Sequence, residues 1–201
     1  CSLMVQNTLS YIMKSRSFFK KPLSLILAIG LCFSCVKDTD FEQYDTLTIN
    51  PIMEVSLVKT QEPASSFVDF SGTELSSISD QVVIDIFNSD FVVDNLIKAE
   101  LVFGITNSID KAFQIQIDFY DSTDMLQHTF SIDIDNSPTN TPLYTEHIEV
   151  FENMNLSALK STTKLEITIN LISSSGSILT PDSAGSILLA SKGIFYLKIS
   201  S

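Results

Sequence analysis

From residue 51 onward the sequence predicts an all-β domain, an antiparallel β-sandwich. Three observations carry this expectation. Apolar and polar residues alternate at period two, a single segment has helical spacing, and the breaks between runs hold turn-forming residues.

Residues 52–58 open the series as a weak strand, with weak candidates following at 67–70 and 81–87. The first strong strand sets Ile97, Ala99, Leu101, Phe103 and Ile105 on one face. Phe113, Ile115, Ile117 and Phe119 repeat the pattern, with Gln114, Gln116 and Asp118 facing away. Asp121-Ser122-Thr123-Asp124 reads as a hairpin turn, because Asp and Ser side chains accept nearby backbone amides. Beyond it, Leu126, His128, Phe130, Ile132 and Ile134 oppose Gln127, Thr129, Ser131 and Asp133. A weak strand lies at 144–151. Residues 153–160 are the helical candidate, with Leu156 and Leu159 at i, i+3, and their place suits a crossover between sheets. Leu165, Ile167, Ile169 and Leu171 form another strong strand. Residues 173–177 read as a loop, 186–190 as a weak strand, and Phe195, Leu197 and Ile199 as the last strand.

About eight to ten short strands with alternating faces fit a sandwich. An immunoglobulin-like arrangement is the first expectation. The chain lacks Trp, and its three Cys lie at positions 1, 32 and 35, so only the architecture of that class is implied. A jelly roll or a lipocalin-like barrel is the alternative.

The amino-terminal segment has a different composition. Lys14, Arg16, Lys20 and Lys21 precede an apolar run of 12 residues, 22–33, and Ser34-Cys35 leads into the acidic stretch 36–42. A signal-peptide core has about 7–15 apolar residues, and a membrane-spanning helix needs about 20. An uncleaved anchor helix is the alternative to a cleaved signal. Met13 is a natural start, and Met13 to Ser34 makes 22 residues, a usual signal length.

The run Leu31-Cys32-Phe33-Ser34-Cys35 resembles the signal of bacterial lipoproteins, in the relaxed form common in Bacteroidota. That resemblance implies cleavage before Cys35 and transfer of diacylglycerol to its thiol. Cys32 is the rival site, but it would put Leu31 rather than a small residue before the cut. Lys37, Asp38 and Asp40 look like the charged tag that sends such lipoproteins to the outer face of the outer membrane. The periplasmic face is the alternative. The expected organisation is 1–12 without a role, 13–34 signal, 35–50 lipidated acidic tether and 51–201 a single β-sandwich domain. Cleavage would remove Cys1 and Cys32, leaving Cys35 as the lone thiol.

Counted from Cys35, 24 acidic residues face 8 basic ones, a net charge of −16. Such a surface repels nucleic acid and anionic lipid, both of which are bound through Lys and Arg. Membrane attachment therefore falls to the acyl chains on Cys35, and stable anchoring takes two or more chains.

Candidate chemistry is sparse. His128 stands on the apolar face of its strand, where a core or rim role is the ordinary one. His147, with Glu146 and Glu149, would need further ligands to hold zinc. Ser157 and Lys160 match a Ser-x-x-Lys motif, but its companion motifs are missing. Asp118, Asp121 and Asp124 cluster around one hairpin and form a weak calcium candidate without EF-hand spacing. Tyr120 and Tyr144 are candidate surface aromatics for stacking on a sugar.

The expected function is a non-enzymatic binding or structural accessory module without a cofactor, its partner a protein or a glycan. The alternatives are the glycan-binding component of a surface uptake system, a hydrolase with scattered catalytic residues, and an assembly partner that pairs through an exposed edge strand.

Overall fold

The computed structural model describes residues 48–200. Cys35, Lys37, Asp38 and Asp40 lie outside the described residues. No helix among the described residues is long and apolar enough to cross a membrane.

Strands β1 (Thr48–Ile49), β2 (Ile52–Pro63), β3 (Ser77–Val83), β4 (Leu96–Asn107) and β5 (Phe113–Tyr120) fill the first half of the chain body. Strands β6 (Leu126–Ile134), β7 (Leu143–Glu152), β8 (Lys164–Leu171), β9 (Ser186–Leu197) and β10 (Ile199–Ser200) fill the second. Two short helices, α1 (Asp90–Asn95) and α2 (Leu156–Ser161), sit in connections. One four-stranded sheet has the order β2-β9-β4-β7, the other β3-β8-β5-β6, and β1 pairs with β10.

All pairings are antiparallel, and they nest. β5 pairs with β6, β4 with β7, β3 with β8, β2 with β9 and β1 with β10. Residues 48–200 thus form a long two-stranded ribbon folded at the β5–β6 turn. It is rolled so that β4 also lies along β9 and β5 along β8. This is the jelly-roll form of the sandwich. It replaces the immunoglobulin-like arrangement expected first, and the two separate sheets differ from a closed barrel. Alternation decides which face of a strand is buried, not which strand lies beside it.

The strong strands lie where the alternation puts them. Leu101, Phe103 and Ile105 of β4 are fully buried, as are Ile115, Ile117 and Phe119 of β5. Each such side chain contributes about 1.5–3 kcal/mol by leaving water. Helix α2 carries the chain from β7 in one sheet to β8 in the other, with Leu159 buried, as its spacing predicts.

Departures concentrate where the phase slips. A bulge between Leu96 and Lys98 turns Ile97 outward, at 50% exposure, and puts Leu96 in the core. Residues 67–70 form the end of a 3-10 turn and an isolated bridge from Val68 to Glu74, not a strand. The strand expected at 81–87 starts earlier, at Ser77, and gives way to the unforeseen helix α1. The last two expected strands are joined as β9, and β1 already pairs at Thr48, ahead of residue 51.

One end of the sandwich is closed by loops gathered on a buried cation. Lys111 is 1% exposed, and its ammonium lies 2.9 Å from the Glu74 carboxylate and donates to the Ser177 carbonyl at 3.1 Å. Glu74 also accepts the Leu179 amide at 2.6 Å. Asn107 ties in the neighbouring loops, donating to the carbonyls of Lys111 (2.9 Å) and Asp135 (2.8 Å). Its side-chain oxygen accepts the Ile109 amide at 2.9 Å. Among the described residues no buried side-chain nitrogen or oxygen lacks a hydrogen-bond partner.

Glu74→Gln strips the buried Lys111 of its counter-charge and is expected to cost about 3–5 kcal/mol. Lys111→Met leaves Glu74 19% exposed and still bonded to Leu179, so its cost is expected to be smaller. Equal losses in urea denaturation would contradict this asymmetry. Burial pushes the Glu74 carboxyl up, but the Leu179 amide and Lys111 outweigh it and hold the group below its ordinary value. A carboxyl lowered in the folded state adds stability that is complete above its unfolded value of about 4.3. That stability is lost as pH falls through the folded value. The acid sensitivity of the urea midpoint is expected to weaken in Glu74→Gln.

Candidate functional site

The two histidines meet. His128 projects inward from β6 and His147 from β7, strands that edge different sheets. His128 Nε2 lies 2.8 Å from Glu149 Oε1, and His147 Nε2 lies 2.9 Å from Glu149 Oε2. One carboxylate therefore serves both rings and joins the two sheets at their β6/β7 mouth. Aromatic rings fill the space behind. His147 stacks on Phe130 at 4.8 Å, and His128 meets Phe151 edge-on at 4.8 Å. Glu149 commits one oxygen to each imidazole, an arrangement suited to clasping the sheets. Among the described residues no group of three or more His, Cys, Asp and Glu side chains is arranged to hold a metal ion.

The carboxylates of the calcium candidate have separate partners. Asp118 is buried on the outer face of β5, where the Gln116 amide and the Thr129 hydroxyl donate to it. Asp121 closes the hairpin turn. It accepts the amides of Thr123 at 2.8 Å and Met125 at 3.1 Å, the Thr123 hydroxyl at 2.7 Å and the Gln127 amide at 2.6 Å. The Thr123 hydroxyl, the Met125 amide and the Thr123 amide hold its carboxyl below the usual range. Asp124 pairs with Lys164 at 2.6 Å. Ser157 and Lys160 both donate to main-chain carbonyls, of Met154 and Val93.

The outer face of the β2-β9-β4-β7 sheet holds a hollow. Gly104 lies in its floor, and the outer end of the Tyr144 ring rests directly on it. A Cβ at position 104 would sit 2.8 Å from the Tyr144 hydroxyl oxygen. That hydroxyl donates to Glu146 at 2.9 Å, which raises the phenol above its ordinary pKa and pins the ring, itself 65% exposed. On the far side, Lys192 pairs with Glu54 at 3.1 Å. Small residues Ser56 and Ala190 complete the floor of a space of about 530 Å3. Tyr120, the other candidate aromatic, is half-buried beneath the Lys164 ammonium, 5.1 Å being the matching distance for Lys98 over Tyr196 and 5.3 Å for this pair.

No family model matches the chain, and no curated protein matches it. Among solved structures, it is similar to a protein from Parabacteroides distasonis ATCC 8503 described as secreted. That likeness has 12% identity and a TM-score of 0.42, over 58% of this chain and 36% of the other. It is also similar to the infectious bursal disease virus VP2 subviral particle, at 11% identity and a TM-score of 0.41, over 75% of this chain and 33% of that one. The chain thus spans about a third of the length of these structures.

Sequence reading singled out Tyr144 but not its shelf. The available signal was Gly104 itself, since a glycine inside a strong strand marks a close approach. His147 and Glu149 stand two apart on β7 and were grouped in the sequence, but their link to His128 had no signal along the chain, because β6 and β7 are not hydrogen-bonded neighbours.

Glu149→Ala leaves two partly buried imidazoles without their shared acceptor. It is expected to cost about 1–3 kcal/mol, read from thermal or urea unfolding. In a cycle with His128→Phe, the two losses are expected not to add. Strict additivity would show that the clasp contributes nothing as a unit.

Proposed function

We propose that this protein is a lipid-anchored surface module of the bacterial outer membrane that binds a ligand and does no chemistry on it. The leader ending at Cys35 supports the anchor, through its resemblance to lipoprotein signals, and Lys37, Asp38 and Asp40 support display at the surface. Strong negative charge supports attachment by acyl chains rather than by the protein surface.

The observation that carries the binding role is the Tyr144 shelf. An aromatic ring fixed over Gly104 offers a flat apolar surface, and Glu54, Glu146 and Lys192 around it offer hydrogen-bonding groups. Few polar groups converging on a partly apolar recess is the usual make-up of a ligand site. A saccharide has matching chemistry, with C–H faces for the ring and hydroxyls for the carboxylates. The role assigned to the histidines is a structural one, as a clasp between sheets.

Two measurements test this reading. Cys35→Ala, expressed in a bacterium fed labelled fatty acid, is expected to lose all label and leave the membrane fraction. Retained label would sink the anchor assignment. For the shelf, Tyr144→Ala is expected to lower retention on an array of neutral glycans by about tenfold or more. Gly104→Val, which displaces the ring, is expected to act in the same direction. A wild-type protein retained by no glycan on the array would defeat the saccharide assignment.

A further inference from the structure

The two mouths of the sandwich differ. At β6/β7 the sheets are joined through Glu149 and packed with aromatic rings. At the other mouth, between β2 and β3, they part to leave a groove of about 340 Å3. Val58, Ile78, Val82, Ile167 and Ile169 form its apolar walls.

The residue pattern at this mouth is unusual. A bulge between Ser56 and Val58 shifts the phase of β2. Before it, Met53, Val55 and Leu57 are the less exposed positions; after it, Val58, Thr60 and Glu62 are. Glu62 therefore stands at an inward-facing position, in line with the core residue Val58. On β3, Asp80 alternates in phase with Ile78 and Val82 and lines the groove at its exposed rim. Two acids thus occupy places that the alternation assigns to apolar side chains. Neither makes an ion pair among the described residues. Asp80 accepts the Gln81 amide at 2.8 Å, and Glu62 the Thr60 hydroxyl at 3.5 Å.

Aliphatic walls and unneutralised carboxylates in one recess complement a cation that carries a hydrocarbon chain. We propose that the groove binds a small aliphatic amine, with its methylenes against Val58, Ile78, Val82, Ile167 and Ile169. Its ammonium is held by Glu62 or Asp80. A lysine side chain of a partner polypeptide has the same chemistry, but two features favour the free amine. The groove lies near the lower end of small-molecule pockets, about 300–1,000 Å3. Inward-pointing charges on edge strands also oppose the addition of a further strand. This site is separate from the Tyr144 hollow and stands whether or not that hollow binds a sugar.

The test is calorimetric titration of the full chain in detergent with 1,5-diaminopentane, 1,5-pentanediol and a capped lysine peptide. The diamine is expected to bind saturably, the diol not at all, and the peptide more weakly than the diamine. Glu62→Gln with Asp80→Asn, which keeps side-chain size, is expected to weaken diamine binding by about tenfold or more. Each single variant, checked for an unchanged melting transition, supplies the same reading should the double variant misfold. Absence of diamine binding, equal binding by the amide variants, or tighter binding of the peptide would each overturn the proposal.

Discussion

The turn between β5 and β6 is the constraint on which the fold depends. Among the described residues it is the one hairpin in which strands adjacent in sequence pair directly, and each other pairing of the ribbon closes outside it. Asp121 fixes this turn by drawing two main-chain amides, a hydroxyl and a side-chain amide onto one carboxylate. Outward from the turn, β4 and β7 lie in register, beyond them β3 and β8, and beyond those β2 and β9. Without it, each of those pairings would have to close a long loop with no inner pair to shorten it. The carboxylates that suggested calcium thus have a mechanical role: Asp121 shapes the fold point, and Asp124 joins its tip to Lys164 of β8.

What was legible in the sequence follows from what alternation encodes. Burial on one face leaves a direct imprint at period two, so β4, β5, β6 and β8 could be placed from their own residues. Their neighbours could not. The same inward faces serve an immunoglobulin-like sandwich or a jelly roll, and the choice rests on which strand returns beside which. Nor could the bulges be foreseen. Ile97 looked like a core residue because it continued the series Ala99, Leu101, Phe103, and an extra residue at that point turned it outward. Likewise Leu126 looked buried, and a register shift between Phe119 and Tyr120 leaves it 51% exposed.

The histidine–glutamate clasp shows the same limit in a side-chain group. His128 read as an ordinary core or rim residue, and His147 stood with Glu146 and Glu149 on its own strand, short of further partners. Rolling the ribbon sets β6 and β7 at the same mouth in different sheets, and only then do both rings reach Glu149. Lys111 is a parallel case. A lysine in a turn reads as a solvated charge, yet three loops converge to bury it against Glu74 and the Ser177 carbonyl. Only the i, i+2 pair His147 and Glu149 has a local trace; the contacts that complete both groups are products of long-range topology.

Strand β2 connects the two recesses. Its first half, at Glu54, Val55 and Ser56, lines the outer hollow, and its second half, at Val58, Thr60 and Glu62, lines the groove between the sheets. A regular strand could not present neighbouring segments this way, because alternate residues would keep the same face throughout. The bulge at Ser56 and Val58 makes the switch, and Ser191 stabilises it: its hydroxyl accepts the Val58 amide at 3.2 Å, in a buried setting. An unsatisfied amide there would cost about 1–3 kcal/mol, so the bulge and the serine depend on each other. Bulges commonly re-aim side chains beside functional surfaces. Here one bulge turns Glu62 inward while leaving Glu54 outward, so two acids on a single strand serve opposite faces of one sheet.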